Sequence, residues 1–579
     1  MVWNELRSGI SAALEAAGLW TPERIARLEL VVPRDPAHGD WTTNLCMLIA
    51  KDAGRAPRAI AESIAAHYPK DDGIVGAVEV AGPGFLNLRY SDAFVASLPS
   101  RILAAGGAFG TSAFGGGERI LVEYVSANPT GPMNVVSARA AAVGATLAAL
   151  LKSAGWDVAG EFYVNDTGNQ VDLLGLSLAA RFAARVGIER ELPADGYQGG
   201  YLMELAAELP VDEARRQLDA PAGAEWFRDQ ALERMLAWQQ RDLAAYGVTF
   251  DRWFRESELH DSGAVMETFR ELESRGMTYR AVKPEGVSEA AESRVRSDAG
   301  AAGGAAEATW LRTHGFGDDM DRVVIRSDGR PTYLLPDIAY HRNKRSRGFR
   351  RAINLWGPDH HAYVATLTAG MKALGLEDDF LQILIVQQVN LLREGREVKM
   401  SKRAGEFVTL RDLVDEVGAD CARFFFLMRS TSAHLDFDLD LARRQNDENP
   451  AYYVQYAHAR VASLLRLAAE RGLSPAEGAA TPLGPPEEAA LVRKLSCFPE
   501  IVRGAAVMRE PHRIPAYLVE TSAEFHRFYH ACRVVGDDVA LSRHRLRLCA
   551  AAQQVLRNGL ALMGVSAPER LEREAESTT

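Results

Sequence analysis

The chain has 579 residues, 47 % of them hydrophobic, and a formal net charge of −11 at pH 7. This length exceeds the roughly 250–300 residues that one hydrophobic core supports, so we expect about three or four domains. The acidic charge neither indicates nor excludes a nucleic-acid binder, because a large acidic enzyme can present a local basic face to phosphates.

The amino terminus and the cysteines indicate the compartment. MVWNELRSGISAALEAAG is amphipathic and lacks the apolar centre of a signal peptide, and we find no apolar run long enough to span a bilayer. We therefore predict a cytoplasmic protein without a membrane partner. The cysteines lie far apart and form no Cys-x-x-Cys pair, which favours a reducing compartment and argues against a metal site: Cys46, Cys421, Cys497, Cys532 and Cys549.

Residues 1–112 are predicted to form a small α+β domain. Helical stretches flank His38-Gly-Asp-Trp-Thr-Thr-Asn44. The segment from Val78 to Leu88 predicts two strands joined by a turn at Gly82-Pro-Gly84. The glycine-rich stretch 106–117 is predicted to be a linker.

The segment 118–155, ERILVEYVSANPTGPMNVVSARAAAVGATLAALLKSAG, carries the first candidate site. Ile120 to Val125 predicts a buried strand, Ser126 to Met133 a polar loop, and the run from Val135 to Gly155 a helix. A strand, a tight loop and a long helix open a nucleotide-binding half-sheet, where the N–H groups at the helix start face phosphate. Taken alone, this pattern is common in α/β proteins.

Later strands are also predicted to end in clusters of short polar residues. One leads into Asn165-Asp-Thr-Gly-Asn-Gln170, and the strand from Ala352 leads into Gly357-Pro-Asp-His-His361. Open parallel sheets bind ligands at this end of their strands, although an Asx turn explains the first cluster about as well. Further strands of the same sheet are predicted from Arg322 and from Phe380 to Leu391.

Two insertions are predicted between these strands. Residues 173–260 are expected to be a helical insertion packed by Trp226, Trp238 and Tyr246. Residues 283–308, rich in Ala, Gly, Ser and Glu, are expected to be a flexible surface excursion.

Tyr333 and Asp337 lie four residues apart and would share one face of a helical turn. A carboxylate and a phenol that converge on a pocket suit a guanidinium, because a carboxylate accepts two parallel N–H bonds from it. The alternative is a surface aspartate beside a core tyrosine, which is what such a pair usually means.

The loop Lys399-Met-Ser-Lys402 places two lysines where they can reach a polyphosphate from two sides. Basic loops are usually only solvated, but this one follows a predicted sheet. From Thr409 the chain is predicted to be helical. Its later basic and aromatic residues suit single-stranded nucleotides, although a solvated basic face explains them equally well: His526-Arg-Phe-Tyr-His530, Arg533, Arg543, His544, Arg545, Arg547 and Arg557.

Many motifs in one order resemble the arginyl-tRNA synthetases, which are class I aminoacyl-tRNA synthetases. They are GDWTTN, EVAGPGF, VEYVSANPTGP, EFYVNDTGNQ, PTYLLPDIAYH, WGPDHH, KMSKRAGEFVTLRDLV and NPAYYVQYAHAR. The resemblance implies a small α+β N-terminal domain that contacts the tRNA elbow. It also implies a Rossmann-type α/β parallel-sheet catalytic domain over 113–408 and a helical stem and all-α anticodon-binding bundle over 409–579.

The resemblance also implies a reaction. Arginine would be coupled to AMP with ATP and Mg²⁺, generally with tRNA bound, and then transferred to the 3′ end of tRNA(Arg). The partners would be arginine and tRNA, with no DNA, and we expect a monomer. Arginine would be held by Glu123, Asn128, Tyr333 and Asp337.

By the same resemblance, ATP would contact two groups of residues. The catalytic ones are Asn134, Ser137, Lys399 and Lys402, and the other ATP contacts are Thr130, Gly131, Asp359, His360 and Ser401. The tRNA would contact Tyr456, Arg460, His526, Phe528, Tyr529, Arg533 and Arg557.

One motif departs from the family pattern. His-x-Gly-His is replaced here by Asn134-Val-Val-Ser137. Val136 requires a shifted adenine. Because Asn134 and Ser137 can still donate hydrogen bonds to phosphate, we nevertheless predict retained activity. The alternatives are a paralogue that binds tRNA or another ligand without forming the adenylate, and a nucleotidyltransferase acting on a small molecule.

Overall fold

The computed structural model describes residues 2–33, 35–69, 73–282, 307–398, 408–477 and 483–571. The loop residues Lys399, Ser401 and Lys402, and nearly all of the predicted excursion 283–308, lie outside these ranges. The chain forms two compact units: residues 1–114, 445–509 and 513–579, and residues 115–444 with 510–512.

The N-terminal part of the first unit contains an antiparallel sheet of three strands. The strands are β1 Trp41–Thr43, β2 Val75–Ala81 and β3 Phe85–Tyr90, and the helices are α1 Val2–Ala16, α2 Pro22–Ile25, α3 Leu45–Ala53, α4 Pro57–His67 and α5 Asp92–Ala105. The predicted hairpin joins β2 and β3. Its Gly82 and Gly84 have φ of 51° and 148°, which other residues rarely adopt.

The second unit is built on a parallel sheet of five strands. The strands of this unit are β4 Arg119–Glu123, β5 Asp157–Val164, β6 Arg252–Arg255, β7 Thr278–Ala281, β8 Ala308–Leu311, β9 Arg322–Ile325, β10 Arg351–Trp356, β11 Leu381–Ile385, β12 Val389–Arg393, β13 Arg396–Glu397 and β14 Leu435–Asp438. The parallel sheet has the order β11-β10-β4-β5-β6. Since the chain runs outward from β4 to β6 and then returns on the other side at β10, the switch point lies between β4 and β10.

The helices of this unit cover the sheet and form the insertion. They are α6 Val135–Ser153, α7 Asn169–Arg185, α8 Tyr201–Glu208, α9 Val211–Gln217, α10 Gly223–Ala245, α11 Ser257–Asp261, α12 Ala264–Ser274, α13 Leu334–Ser346, α14 Tyr363–Ala373, α15 Leu410–Val417, α16 Ala419–Leu427 and α17 Leu439–Arg443. Trp226 and Trp238 pack on the core of α7–α10 as predicted. Tyr246 is buried instead against the guanidinium of Arg423, 5.5 Å from its ring.

Two predicted strands of the parallel sheet belong elsewhere. β9 pairs antiparallel with β8 in a separate sheet, β7-β8-β9. The predicted strand from Phe380 to Leu391 divides into β11, in the parallel sheet, and β12, which pairs with β13 and β14. The division falls at Val386–Gln388, where the backbone of Gln387 bonds to Thr431 instead of to a sheet neighbour. Apolar alternation predicts a strand but does not specify its partner.

The prediction that no apolar run is long enough to span a bilayer is wrong for helix α6. By length and composition it could cross a membrane, yet 67 % of its most apolar window is buried in the protein. It is therefore a core helix under the parallel sheet, and one such helix is weak evidence for a membrane span.

The C-terminal part of the first unit is all-α. Residues 408–444 pack with the sheet unit, whereas the sequence prediction grouped them with the C-terminal bundle. The bundle helices are α18 Pro450–Glu470, α19 Pro486–Ser496, α20 Phe498–Met508, α21 Arg513–Ala531 and α22 Val539–Leu562.

Candidate active site

The C-terminal ends of the parallel strands bring the predicted catalytic-domain segments to one edge of the sheet. β4 ends at Glu123, β5 leads into the polar cluster 165–170, β6 leads to Glu256, and β10 leads to the short 3₁₀ turn Pro358–His360. This is the edge at which open α/β sheets bind ligands.

The loop from Ser126 to Met133, here called the signature loop, starts with an unusual backbone. Val125 has φ of 70° and Ser126 has φ of 40°, values that are uncommon outside glycine and costly for a β-branched residue. Ser126 Oγ accepts from the N–H of Tyr163 at 3.1 Å and donates to Glu123 Oε1 at 3.1 Å. These bonds hold the strained turn at the end of β4.

The helical insertion holds the middle of the signature loop. Gln239 Nε2 on α10 donates to the carbonyls of Asn128 (3.2 Å) and Gly131 (2.9 Å). The hydroxyl of Tyr201 on α8 donates to the carbonyl of Thr130 at 2.6 Å. Sequence reasoning missed Gln239 and Tyr201, because nothing in their local pattern points to a loop so distant in the chain.

The altered motif Asn134-Val-Val-Ser137 forms the start of α6. Asn134 is the N-cap, and its Oδ1 accepts from both the N–H (2.9 Å) and the hydroxyl (3.2 Å) of Ser137. Asn134, Val136 and Ser137 are all partly exposed. The Ser137 hydroxyl must therefore turn away from Asn134 before it can donate to a phosphate.

The chain that follows the second signature segment lies close to this motif. The N–H of Val398 bonds to Leu391, Asn134 forms an antiparallel bridge with Thr409, and the N–H of Leu410 bonds to the carbonyl of Met133 at 2.8 Å. The described chain on the C-terminal side of Lys399-Met-Ser-Lys402 thus lies against the N-cap of α6.

Arg139 bonds this helix to the segments that lead into β12 and β14. It is fully buried and donates to the carbonyls of Gln387, Gln388, Ser430 and Ala433 at 2.7–3.3 Å. Burial lowers the pKa of Arg139 to about 10. The four bonds fix the position of α6 relative to β12 and β14.

The predicted guanidinium pocket would lie beside Asp337, on the first turn of α13. The hydroxyl of Tyr363 donates to Asp337 Oδ2 at 2.9 Å, and the Tyr333 ring lies 5.3 Å from the Tyr363 ring. Trp356, at the end of β10, stacks on Tyr363 at 5.9 Å. Tyr333 is 63 % exposed, so it stands at the rim of the pocket.

Asp337 has an unusual ionisation. Its pKa is raised to about 7, mainly by burial and further by the nearby carboxylates of Glu123 and Glu256. The hydrogen bond from Tyr363 and the positive charge of Lys344 lower the pKa but do not cancel this rise. A cation beside Asp337 would relieve this cost, because it favours the charged form of the carboxyl group.

Glu256 is an acidic residue of the site that the sequence reasoning missed. Its carboxylate helps to raise the pKa of both Asp337 and Tyr163, so it lies near both. Its position in the sequence could have indicated the site, because Glu256 directly follows a strand of the parallel sheet and Glu123 is the last residue of another.

Glu123 is placed differently from what the resemblance implied. It is only 6 % exposed, and both carboxylate oxygens are engaged inside the protein, Oε1 by Ser126 and Oε2 by the ammonium of Lys344. Asn128 is exposed at the site edge, and its amide donates to Gln170 at 3.0 Å. Asn128 is therefore accessible to a ligand, whereas Glu123 is enclosed.

The two polar clusters at strand ends differ in their contacts. In the 165–170 cluster, Asp166 accepts from the N–H and the hydroxyl of Ser257, which is an ordinary capping arrangement. Asp359 and His360 are exposed on the 3₁₀ turn, and the His360 ring lies 5.9 Å from that of Trp356.

The C-terminal bundle carries a cluster of exposed or half-buried aromatic and basic groups. The Arg460 guanidinium lies 4.4 Å from the Tyr529 ring and 5.7 Å from the Tyr456 ring, and His526 stacks beside Tyr456. Burial and the nearby Arg460 lower the pKa of His526 to about 4, so its ring is neutral.

One predicted tRNA contact and three of the basic residues noted with it in the sequence are buried. Phe528 is fully buried and cannot stack on a base, because it faces the bundle core. His544, Arg545 and Arg547 are also buried, and Arg545 pairs with Glu488. Arg533 and Arg557 remain exposed.

Known protein families match both terminal regions of the chain. Residues 4–90 match the model of the arginyl-tRNA synthetase N-terminal domain, and residues 454–571 match that of the DALR anticodon-binding domain. An arginine–tRNA ligase of Geobacillus kaustophilus is 42 % identical over 98 % of this chain and 99 % of its own. One of Bacillus subtilis is 41 % identical over 98 % of each.

The solved structure of an arginyl-tRNA synthetase from Thermus thermophilus shares the fold. It superposes with a TM-score of 0.75 at 22 % identity, over 99 % of this chain and 100 % of that one. The parallel sheet, its signature loop and the C-terminal bundle define a class I aminoacyl-tRNA synthetase. Given the identity to full-length relatives, the chain belongs to the arginyl-tRNA synthetase family. The predicted family and fold class are confirmed.

Proposed function

We propose that this chain joins arginine to tRNA(Arg) with ATP, and that both small substrates meet where β4 and β10 end. The observation that carries the site is Asp337, a largely enclosed carboxyl group with a raised pKa that accepts from Tyr363, whose ring packs against Tyr333 and Trp356. Such a group favours a cationic ligand, and the arginine side chain supplies a planar one.

Arginine is held at its two ends in this proposal. Its guanidinium pairs with Asp337, with Glu256 nearby and the Tyr333 ring at the rim. Its ammonium reaches the exposed side chain of Asn128. The enclosed Glu123 acts through its charge and its bond to Ser126 rather than by contact.

The first step is attack by an arginine carboxylate oxygen on the α-phosphorus of ATP. The bond to the β-phosphate breaks and pyrophosphate leaves with the negative charge. The N–H groups at the start of α6, Asn134 and the two lysines of Lys399-Met-Ser-Lys402 donate to the phosphates as this charge builds. A ribose hydroxyl of the tRNA 3′ end then attacks the arginyl carbonyl carbon, and AMP leaves.

Magnesium enters with the nucleotide in this proposal. Among the described ranges, no cluster of three or more His, Cys, Asp or Glu is arranged to hold a metal ion. We therefore place Mg²⁺ on the ATP phosphates, where it neutralises their charge, and name no protein ligand for it.

The tRNA is proposed to lie on the bundle through Tyr456, Arg460, His526 and Tyr529, with Arg533 and Arg557 at the edge. Exposed aromatic and guanidinium faces can stack on unpaired bases of an anticodon loop. The enzyme is expected to work in the cytoplasm, where its substrates are.

The deciding experiment is arginine-dependent exchange of labelled pyrophosphate into ATP with the cognate tRNA present. We expect robust exchange, because Asn134 and Ser137 retain donor groups where the family pattern has histidines. The control is Lys399→Ala/Lys402→Ala, in which loss of two phosphate donors should reduce the rate by at least roughly 10²-fold. Exchange no faster in the wild type than in this control would contradict the proposal.

A further inference from the structure

Lys344 is a fully buried lysine below the proposed arginine site, on the last turn of α13. Its Nζ donates to Glu123 Oε2 at 2.5 Å and to Asn354 Oδ1 at 3.0 Å, and it lies 4.2 Å from the Tyr340 ring. Its side chain and that of Glu123 are 0 % and 8 % exposed. A substrate bound at the sheet edge does not touch it.

One side of Lys344 leads, by hydrogen bonds with a fixed direction, to the main-chain carbonyl of Asp337, earlier on the same helix. His341 Nδ1 lies 2.8 Å from the carbonyl oxygen of Asp337, so this nitrogen carries the proton. Burial and the positive Lys344 lower the pKa of His341 well below its usual value, so the ring is neutral. Its Nε2 therefore accepts from Asn354 Nδ2 at 3.0 Å, which turns Asn354 Oδ1 toward Lys344.

The other side of Lys344 leads to the signature loop. Lys344 holds one oxygen of Glu123, and the other oxygen accepts from the hydroxyl of Ser126 at 3.1 Å. Ser126 has φ of 40° and opens the loop that is proposed to contact ATP. Its Oγ also accepts from the N–H of Tyr163.

Stability alone does not require these charges. Replacing a buried ion pair by apolar side chains of similar volume is often neutral or stabilising, because both ions lose their hydration on burial. An enclosed Lys–Glu pair that bonds to Ser126 on one side and, through Asn354 and His341, to the helix turn of Asp337 on the other therefore calls for a role beyond packing.

We infer that Lys344 is a positioning residue. It holds Glu123, and Glu123 in turn holds Ser126 at the start of the signature loop, so that the loop keeps a fixed position relative to the proposed guanidinium pocket. The hydrogen-bonded chain runs from Asp337 through His341, Asn354, Lys344 and Glu123 to Ser126. It links the residue proposed to bind arginine to the loop proposed to bind ATP. This inference rests on the proposed function of the same edge of the sheet.

The deciding variant is Glu123→Leu/Lys344→Met, since Lys344→Met alone would leave a buried carboxylate without its counter-ion. We expect the double variant to melt within a few degrees of the wild type. Its kcat for pyrophosphate exchange should fall by about 100-fold, because a small misplacement of a reacting group can cost that much. The KM for arginine should change by less than about tenfold, since the pocket around Asp337 remains.

Two further variants separate positioning from packing. Glu123→Gln/Lys344→Met restores an acceptor for Ser126 and should recover at least about tenfold of the lost kcat. Ser126→Ala should cost less kcat when added to Glu123→Leu/Lys344→Met than when made in the wild type, because the Ser126–Glu123 bond is already lost and only the bond from Tyr163 remains to be broken. Lys372→Met is the matched control, since Lys372 is a more exposed lysine paired with Asp378 on the same unit.

A wild-type kcat in the folded Glu123→Leu/Lys344→Met variant would overturn the inference, as would a full additional loss from Ser126→Ala. The same assay tests the proposed function separately. If the wild type itself shows no arginine-dependent exchange, the function fails. If the wild type exchanges and the variants do so equally well, only the role of Lys344 fails.

Discussion

Asp337 is a carboxyl group whose charge depends on what lies beside it. In the free site its pKa is raised to about 7 by burial, with Glu123 and Glu256 adding to the effect. A guanidinium in contact favours the ionised form and lowers that pKa. Arginine binding in the proposed mode therefore releases a proton near neutral pH, and below pH 7 the ligand must first displace that proton from Asp337.

The pH dependence of arginine binding follows from this. We expect the dissociation constant to be about tenfold larger at pH 6 than at pH 8, with little change above pH 8, because the free carboxyl group is then already ionised. Isothermal titration calorimetry in two buffers of different ionisation enthalpy measures both the affinity and the proton released.

Asp337→Asn is the matched variant for this titration. It keeps the shape of the side chain but cannot ionise, so arginine should bind roughly ten- to a hundredfold more weakly at pH 8. The dependence between pH 6 and 8 should vanish as well. A variant that retains the wild-type pH profile would assign the titration to another group.

The N-cap of α6 shows which hydrogen bonds can be predicted from one residue and which cannot. Asn134 is a favourable N-cap, and its bond to the Ser137 N–H follows from that chemistry alone. The bond from the Ser137 hydroxyl to the same oxygen does not follow, since a serine rotor has three positions and only its neighbours select one.

At the scale of elements, the insertion helix α10 supports the signature loop. Gln239 is fully buried, and its amide supplies donors to two loop carbonyls, those of Asn128 and Gly131. A loop with two positive φ values at its start needs such external bonds to keep one conformation. The insertion is thus part of the proposed active site although it contributes none of the substrate contacts proposed above.

Gln239→Met tests this support. Methionine fills the same volume but donates no hydrogen bond, so we expect kcat for pyrophosphate exchange to fall about tenfold, the value of one to two lost bonds. The melting temperature should change little. Gln240→Met, at an exposed position of the same helix, is the control and should behave as the wild type. Equal kcat for both variants would show that the loop keeps its conformation without the bonds from Gln239.

The elements themselves were predictable to different extents. The strand, loop and helix of β4–α6 and the β2–β3 hairpin follow from apolar periodicity and from glycines at turns. The sheet membership of β9 and β12 does not, because pairing partners are set by contacts distant in sequence. Lys344 and Gln239 were missed for the same reason, since each acts through a bond to a residue more than a hundred positions away.

At the scale of the whole molecule, the N-terminal domain and the bundle share one compact unit. The Asn558 amide on α22 donates to the carbonyls of Gly106 and Phe109 at 2.9 Å. Arg493 on α19 pairs with Asp40 at 2.9 Å. Deleting the bundle would therefore expose the packing surface of the first domain, so tRNA binding is better tested by a point substitution than by truncation.

Arg460 is the residue for that test, because its guanidinium stacks on Tyr529 at 4.4 Å at an accessible position of the bundle. Arg460→Met keeps much of the side-chain volume but removes the charge. We expect weaker tRNA binding. The slope of log affinity against log salt should be smaller by about 0.7, the value for one charge contact to single-stranded nucleic acid.

The measurement is filter binding or fluorescence anisotropy with tRNA(Arg) over a series of salt concentrations. Arg471→Met, an exposed arginine at the end of the same helix, is the matched control for the loss of one positive charge. Because both variants change the net charge equally, a general electrostatic effect would alter both slopes alike, and that result would remove Arg460 from the proposed interface. A smaller slope for Arg460→Met alone would place its charge against the tRNA backbone. Normal arginine-dependent exchange at saturating tRNA would show that the sheet unit is intact.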